Sequence, residues 1–212
     1  MNTLWALLSS AACAYLLGSI SFAVIVSKLY SKKDVRDYGS GNAGMTNVLR
    51  NFGKLPAALT LLGDFTKGVV AVLLGRYLFS LFGVTAFDGA YVAGLFALLG
   101  HMYPLYFGFK GGKGVLTSAG IILVINPITL AVLLVEFLIA FGISKMVSLG
   151  SIVDAVSYPI VTYIVLKVSG EPALINTLFA ALIGIIVLYL HRENIKRIFA
   201  GTEYKFGQKK EK

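Results

Sequence analysis

The sequence predicts an all-α membrane protein of seven transmembrane helices, with its polar motifs in loops on one face of the bilayer. Three observations carry that prediction. The 212 residues are 57% hydrophobic and only 14% charged, where a soluble domain carries roughly a quarter charged residues. The apolar residues run in long blocks, on the scale of the ~20 residues that span a bilayer. They lack the alternating ~10-residue segments of barrel strands. Finally, Lys and Arg outnumber Asp and Glu by 19 to 10, and most of the basic residues sit between the apolar blocks. A backbone crossing lipid must satisfy its own hydrogen bonds, so the blocks are read as helices.

Each element follows in order. The first helix is predicted over Leu4–Leu29. Ala11, Ala12 and Ala14 imitate a signal-peptide cleavage region, but such a peptide carries basic residues before its apolar core. Here the first charge is Lys28, so the helix is expected to be retained with its N-terminus outside. A polar loop, Tyr30–Lys54, leads to a second helix over Leu55–Phe82. A short turn at Thr85–Asp88 precedes a third over Gly89–Phe107. The loop Gly108–Gly114 is rich in glycine and lysine. A short fourth helix, Val115–Ile125, stops at Asn126-Pro127, because proline disrupts a helix interior. The fifth covers Ile128–Ser144, and the loop Lys145–Ser151 leads to the sixth, Ile152–Val168. Gly170, Glu171 and Pro172 turn the chain into the seventh, Ala173–Leu190, and a basic tail runs from His191 to Lys212. No internal repeat appears, and residues 1–212 read as a single integral-membrane domain.

The charges support seven spans. Lys28, Lys32, Lys33, Arg36, Arg50 and Lys54 fall at the first loop, Lys110 and Lys113 at the second and Lys145 at the third. Arg192, Lys196, Arg197, Lys205, Lys209, Lys210 and Lys212 fall in the tail. Seven crossings place all of these on one side, which the positive-inside rule makes cytoplasmic. Only Arg76 and Lys167 approach the other side. Six crossings, with the fourth and fifth helices merged, would split the charge. Topology therefore accounts for the net charge of +9 better than nucleic-acid binding does. Cys13 is the only cysteine, which excludes an internal disulfide and any cysteine-based metal site.

The first loop contains GSGNAGMTNVLR, Gly39–Arg50. Glycines let successive N–H groups converge on an anion. Ser40 and Thr46 add hydroxyls, Asn42 and Asn47 add amides, and Arg50 offers a bidentate fork for phosphate. A flexible polar connector is the bland alternative, and the packed hydroxyl, amide and guanidinium groups argue against it. The stretch is not a Walker A loop, which ends in Gly-Lys-Ser/Thr. The second loop, GHMYPLYFGFKGGKG, sets Lys110 and Lys113 among glycines. A positive-inside flank explains the lysines but not the glycines between them. His101, near the end of the third helix, is read as a structural hydrogen-bonding group or as a site residue. In the third loop Ser151 is either the N-cap of the sixth helix or a substrate contact. After the last span, His191 and Asn194 share a face at i, i+3 if the helix continues.

Charges within spans are costly and mark function or pairing. Asp64 and Lys67, at i, i+3, suit mutual neutralisation. Glu136 has no evident partner in sequence, and Asp154 lies near a helix start. No metal-ligand cluster, HExxH or GxSxG occurs, and no Ser or Cys is flanked by an evident base. No metal, cofactor or acyl-enzyme is expected. Two phosphate-sized polar loops on one face suggest direct transfer between two phosphorylated substrates.

In GSGNAGMTN with its following Arg, GHMYPLYFGFKGGKGV, and HREN after the last helix, the chain resembles the membrane-integral acyl-phosphate:glycerol-3-phosphate acyltransferases, the PlsY family. The resemblance covers essentially the whole chain and is carried by the order and combination of the motifs. It implies seven transmembrane helices in a bacterial cell membrane, with the active site facing the cytoplasm. The implied reaction is attack by the 1-hydroxyl of sn-glycerol 3-phosphate on a long-chain acyl phosphate, releasing 1-acyl-glycerol 3-phosphate (lysophosphatidic acid) and inorganic phosphate. This is the first acylation of phospholipid synthesis. By the same resemblance Ser40, Gly41, Asn42, Gly44, Thr46, Asn47 and the Gly111–Gly112 backbone bind substrate, chiefly the acyl phosphate, with His101 in the same set. Lys113, Arg50, Ser151, His191 and Asn194 form the catalytic set that holds glycerol 3-phosphate. The acyl chain is expected in an apolar groove open to membrane lipid. A phosphate leaving group needs no nucleophilic residue, so positioning and charge stabilisation suffice. The base is left open between a substrate phosphate and a protein group.

Two other readings are weighed. The intramembrane charges Asp64, Lys67, Glu136 and Asp154 suit a phosphate-coupled transporter, but such sites usually lie near the bilayer midplane between repeats. A basic scaffold for anionic lipid explains the tail but not the glycine-framed hydroxyls and amides.

Overall fold

The computed structural model describes residues 1–208. Lys209, Lys210 and Lys212, counted above in the basic tail, lie outside the described residues. Ten α-helices occur among the described residues, and no strand. They form two compact units, one over Met1–Ile125 and one from Asn126 onward.

The first unit holds α1 (Asn2–Gly18), α2 (Phe22–Ser31), α3 (Met45–Phe52), α4 (Lys54–Leu81), α5 (Gly89–Met102) and α6 (Val115–Ile125). The predicted first helix is therefore broken. Its helical pattern stops at Ser19 and resumes at Phe22. A carbonyl released inside a membrane protein needs a donor, and the Lys67 ammonium of α4 donates to the Ile20 carbonyl at 2.8 Å. Close approach holds the helices together. A Cβ on Gly18 would lie 2.1 Å from the Ala97 carbonyl oxygen, and one on Gly120 would lie 2.1 Å from that of Phe65. These contacts bring α1 against α5 and α4 against α6, the small-residue packing expected in lipid. At the opposite end of α4, Arg76 forks onto Asp88, with Nη2 at 2.7 Å, and also donates to the Val124 carbonyl at 3.1 Å. Asp88 in turn caps α5 by accepting the Ala90 N–H.

α3 lies inside the stretch predicted as a polar loop. Met45, Val48, Leu49 and Phe52 follow the i, i+3, i+4, i+7 pattern of an amphipathic helix. They pack with Ala23, Val24, Val35, Ala43 and Ala57. The apolar face is short and set among polar residues, so composition alone hides it.

The second unit holds α7 (Pro127–Ser144), α8 (Val147–Val168), α9 (Leu174–Leu190) and α10 (Arg192–Phe199). Pro127 sits in the first turn of α7, where it costs no hydrogen bond, and the Asn126 side chain caps that turn at Thr129. α8 begins at Val147 rather than Ile152. Lys145 takes a left-handed conformation and Met146 an extended one, so two residues complete the turn. Ser151 is therefore not an N-cap. It lies in the second turn and donates its hydroxyl to the Val147 carbonyl at 3.0 Å. Glu136 of α7 gains a partner absent from the sequence pattern, the Ser157 hydroxyl of α8 at 2.5 Å.

The predicted apolar stretches are largely helical, the first interrupted at Ser19–Ser21 and the third ending its α-helix at Met102 before a 3-10 turn at Leu105–Phe107. Five helices among the described residues are long and apolar enough to cross a membrane, counting Asn2–Ser31 as one, and six if the bent pair α9–α10 is also counted as one. α6, at 11 residues, is only about 17 Å long at 1.5 Å per residue, short of the ~30 Å hydrocarbon core. Leucine, isoleucine and valine side chains along α4, α7, α8 and α9 stay exposed, among them Leu62, Leu73, Ile139, Ile160 and Ile185. Asp64, Lys67 and Thr60 are buried instead. Such a surface suits lipid rather than water.

Candidate active site

In the first unit the loop before α3 is organised by one side chain. Asn47, 2% exposed, donates to the carbonyls of Val35 (3.0 Å), Tyr38 (2.9 Å) and Asn42 (3.1 Å). Its Oδ1 accepts the Ser40 N–H at 3.2 Å and the Asn51 amide at 3.0 Å. The donors and acceptor of Asn47 are thus used within the loop, where the side chain acts as a scaffold. Ser40 and Gly41 are left exposed, and Asn42, Gly44 and Thr46 half-buried. Gly41 has φ +69°, a left-handed conformation that side chains adopt at a cost. Arg50 is half-buried in the last turn of α3.

The second loop docks on this one through three hydrogen bonds. The Ala43 N–H donates to the Gly111 carbonyl at 3.4 Å. Arg36 grips Asp34 with Nε at 3.0 Å and Nη2 at 2.8 Å, and its Nη1 donates to the carbonyls of Phe107 at 2.5 Å and Lys110 at 3.2 Å. Hydrogen bonds from the Arg36 guanidinium hold the Asp34 carboxyl well below the usual carboxylate range, against a smaller upward push from burial. The sequence assigned Arg36 only to topology. Its second role depends on a partner 71 residues away, beyond the reach of local pattern.

The Gly111 and Gly112 N–H groups donate to the carbonyls of Met102 (3.1 Å) and His101 (3.2 Å). Those donors are engaged by the end of α5, a use that does not itself call for glycine. Glycine is required for another reason. A Cβ on Gly112 would lie 2.3 Å from His101 Nε2 and 2.5 Å from the Ala43 carbonyl oxygen. His101 is 5% exposed, and Lys113, half-buried, follows directly.

In the second unit, α9 and α10 meet at His191 with a 59° bend. The helix expected to continue through HREN bends at its histidine, which becomes the N-cap of α10 with Asn194 three residues on. Both are buried. The His191 Nδ1 lies 2.8 Å from the Val187 carbonyl, a contact in which Nδ1 carries the proton. Asn194 donates to Glu203 Oε1 at 2.7 Å, where Ser148 also donates at 2.7 Å. Arg197 Nε donates to Oε2 at 2.7 Å. Burial raises the Glu203 carboxyl, but these three donors outweigh it and hold the group below the ordinary glutamate value. Glu203 is thus a hub joining α8, α10 and the tail. It was missed because an isolated Glu in a basic tail carries no local signal.

Comparison with known proteins assigns these parts to a family. The sequence model described as glycerol-3-phosphate acyltransferase matches residues 8–201. The chain belongs to the glycerol-3-phosphate acyltransferase family. The glycerol-3-phosphate acyltransferase of Clostridioides difficile strain 630 is 45% identical over 201 residues, covering 95% of this chain and 96% of the relative. That of Neisseria gonorrhoeae strain NCCP11945 is 47% identical over 201 residues, covering 94% and 96%. Among solved structures, the integral membrane acyltransferase PlsY in its glycerol 3-phosphate form superposes with a TM-score of 0.81 at 39% identity, covering 95% of this chain and 96% of that one. Its lysophosphatidic acid form gives 0.79 at the same identity, covering 95% of each. Membership makes the chain an integral membrane acyltransferase and accords with the motif resemblance drawn from the sequence. The matched span contains every candidate site residue from Ser40 to Asn194.

Proposed function

We propose that this acyltransferase moves a long-chain acyl group from an acyl phosphate to the 1-hydroxyl of sn-glycerol 3-phosphate. The products are lysophosphatidic acid and inorganic phosphate, and the reaction is the first acylation of phospholipid synthesis. The observation that carries this reading is the likeness to PlsY in two forms, one with glycerol 3-phosphate and one with lysophosphatidic acid. Those molecules are the acceptor and the acylated product of one transfer. The acyl phosphate donor rests on the motif resemblance and on a second polar loop suited to phosphate.

Ser40, Gly41, Asn42, Gly44 and Thr46 hold the donor phosphate. Asn47, Gly111 and Gly112 fix the shape of the two loops, with His101 against Gly112. Arg50, Lys113, Ser151, His191 and Asn194 serve glycerol 3-phosphate. The hydroxyl oxygen attacks the acyl carbonyl carbon, the bond from that carbon to the phosphate oxygen breaks, and phosphate leaves with the electron pair. Cationic Arg50 and Lys113 stabilise the charge that develops, an effect strongest where water is excluded. The hydroxyl proton passes to a substrate phosphate, so no acyl-enzyme and no protein base is used. A pH–rate profile that follows a protein group, and disappears on replacing His101 or His191, would contradict that proton path.

The chain acts as one domain over residues 1–212, crossing a bacterial cell membrane seven times. The N-terminus is outside, and the site and the C-terminus face the cytoplasm. The acyl chain of the donor lies along apolar helix surface open to lipid. The test is direct: purified, folded protein given palmitoyl phosphate and glycerol 3-phosphate forms lysophosphatidic acid. Absence of that product from folded protein refutes the reading.

A further inference from the structure

Asp64, Lys67 and His101 form a buried polar node in the first unit that the transfer itself does not use. They are 1%, 4% and 5% exposed. Lys67 Nζ lies 2.8 Å from Asp64 Oδ1 and donates to the Ile20 carbonyl at 2.8 Å. The ammonium is thereby held from two sides. The Thr117 hydroxyl, in the first turn of α6, donates to the Asp64 carbonyl at 3.1 Å. His101 Nδ1 faces the same Asp64 Oδ1 at 3.6 Å. That is an electrostatic contact rather than a full hydrogen bond, and no nearer hydrogen-bond partner of Nδ1 exists among the described residues.

A buried ion pair is seldom the most stable filling for a core, since apolar residues of like volume often serve as well or better. The Ile20 carbonyl accounts for Lys67, and simple packing leaves unexplained why Asp64 also faces His101. What the pair supplies is direction. A carboxylate facing Nδ1 favours the imidazole tautomer protonated there and fixes the ring. The Nε2 edge then meets Gly112 so closely that no Cβ fits between them. The segment from Gly112 to Thr117 is gripped at both ends, at Gly112 by the ring and carbonyl of His101 and at Thr117 by the backbone of Asp64. Lys113 lies within that grip.

We propose that the Asp64–Lys67 pair is a positioning device that orients His101 and, through its contact with Gly112, sets the place of Lys113. The role of Lys113 in this statement rests on the function proposed above. Asp64 and Lys67 are positioning residues and touch no substrate.

The test uses the full-length protein in detergent or bilayer. D64L/K67M replaces both charges with apolar side chains, and D64N/K67M keeps an acceptor for Nδ1–H. Both variants lose the Lys67 donor to the Ile20 carbonyl and are expected to melt lower than the parent by a similar amount, while kcat falls about tenfold or more in D64L/K67M and D64N/K67M recovers most of that loss. In a His101→Gln background, itself impaired to a similar degree, D64L/K67M is expected to cost less than about twofold further, because contributions made through one residue are not additive. The chain has two histidines, so 15N-imidazole spectra of His191→Gln report His101 alone, and the Nδ1–H tautomer is expected. Parental turnover in D64L/K67M, multiplying losses with His101→Gln, or an Nε2–H tautomer would each overturn the proposal. Should D64L/K67M fail to fold, D64N/K67M and the tautomer still decide. The tautomer reads the positioning even if the parent makes no lysophosphatidic acid, an outcome that would instead refute the proposed reaction.

Discussion

Arg50 and Lys113 are held differently from the exposed lysines of this chain. Lys32, Lys33 and Lys196 are exposed, whereas Arg50 and Lys113 are half-buried in the two motif loops. We predict that Arg50→Ala and Lys113→Ala each reduce turnover at least ~100-fold, about 2.7 kcal/mol of transition-state stabilisation, with little change in melting temperature. Near-parental rates in both would refute their assignment. Glu203 makes the complementary prediction, on stability. Its carboxyl is lowered in the folded protein by Ser148, Asn194 and Arg197. A lowered carboxyl contributes stability that is complete above its unfolded value and is lost as pH falls through the folded value. Thermal melts should therefore show Glu203→Gln losing stability by about 1–3 kcal/mol at neutral pH, and the gap to the parent narrowing in acid. Asp34 is lowered in the same sense but is common to both proteins, so the difference isolates Glu203. Residue types were legible in sequence and their use was not. Asn47 was identified as a site residue, yet only the fold reveals that its amide closes the loop on Val35, Tyr38 and Asn42.

At the scale of elements, long apolar runs were easy to read. The helix predicted over Val115–Ile125 matches α6, and the second predicted helix differs from α4 by one residue at each end. Breaks were harder. The α1–α2 interruption at Ser19–Ser21 lacks proline, and it persists because Lys67 satisfies Ile20 from another helix. The early start of α8 depends on the left-handed Lys145, a conformation without a glycine to announce it. Gly120 tests the packing that carries the second loop. Alanine there would meet the Phe65 carbonyl at 2.1 Å, and forcing α6 from α4 should cost about 1–3 kcal/mol, read as a lower melting temperature. Gly142→Ala is the control, since a Cβ there meets nothing within 4 Å, and its melt should not fall. An equal loss in both would contradict the close-packing account.

For the molecule as a whole, membrane character followed from composition, and charge supplied an orientation. The intramembrane charges that favoured a transporter have local partners instead, Asp64 with Lys67 and Glu136 with Ser157. Seven crossings predict opposite faces for the two ends. A protease-sensitive tag at the C-terminus should be cut in inverted vesicles and one at the N-terminus in right-side-out cells. Cleavage of both from the same side would contradict the topology. The proposed transfer is a single-step exchange between two phosphorylated substrates. It is tested most directly by following phosphate release from palmitoyl phosphate by purified protein, with and without glycerol 3-phosphate. Phosphate and lysophosphatidic acid are expected in equal amounts when the acceptor is present, and no enzyme-dependent phosphate when it is absent. A stoichiometric burst of phosphate without acceptor, with an acyl group left on the protein, would contradict it.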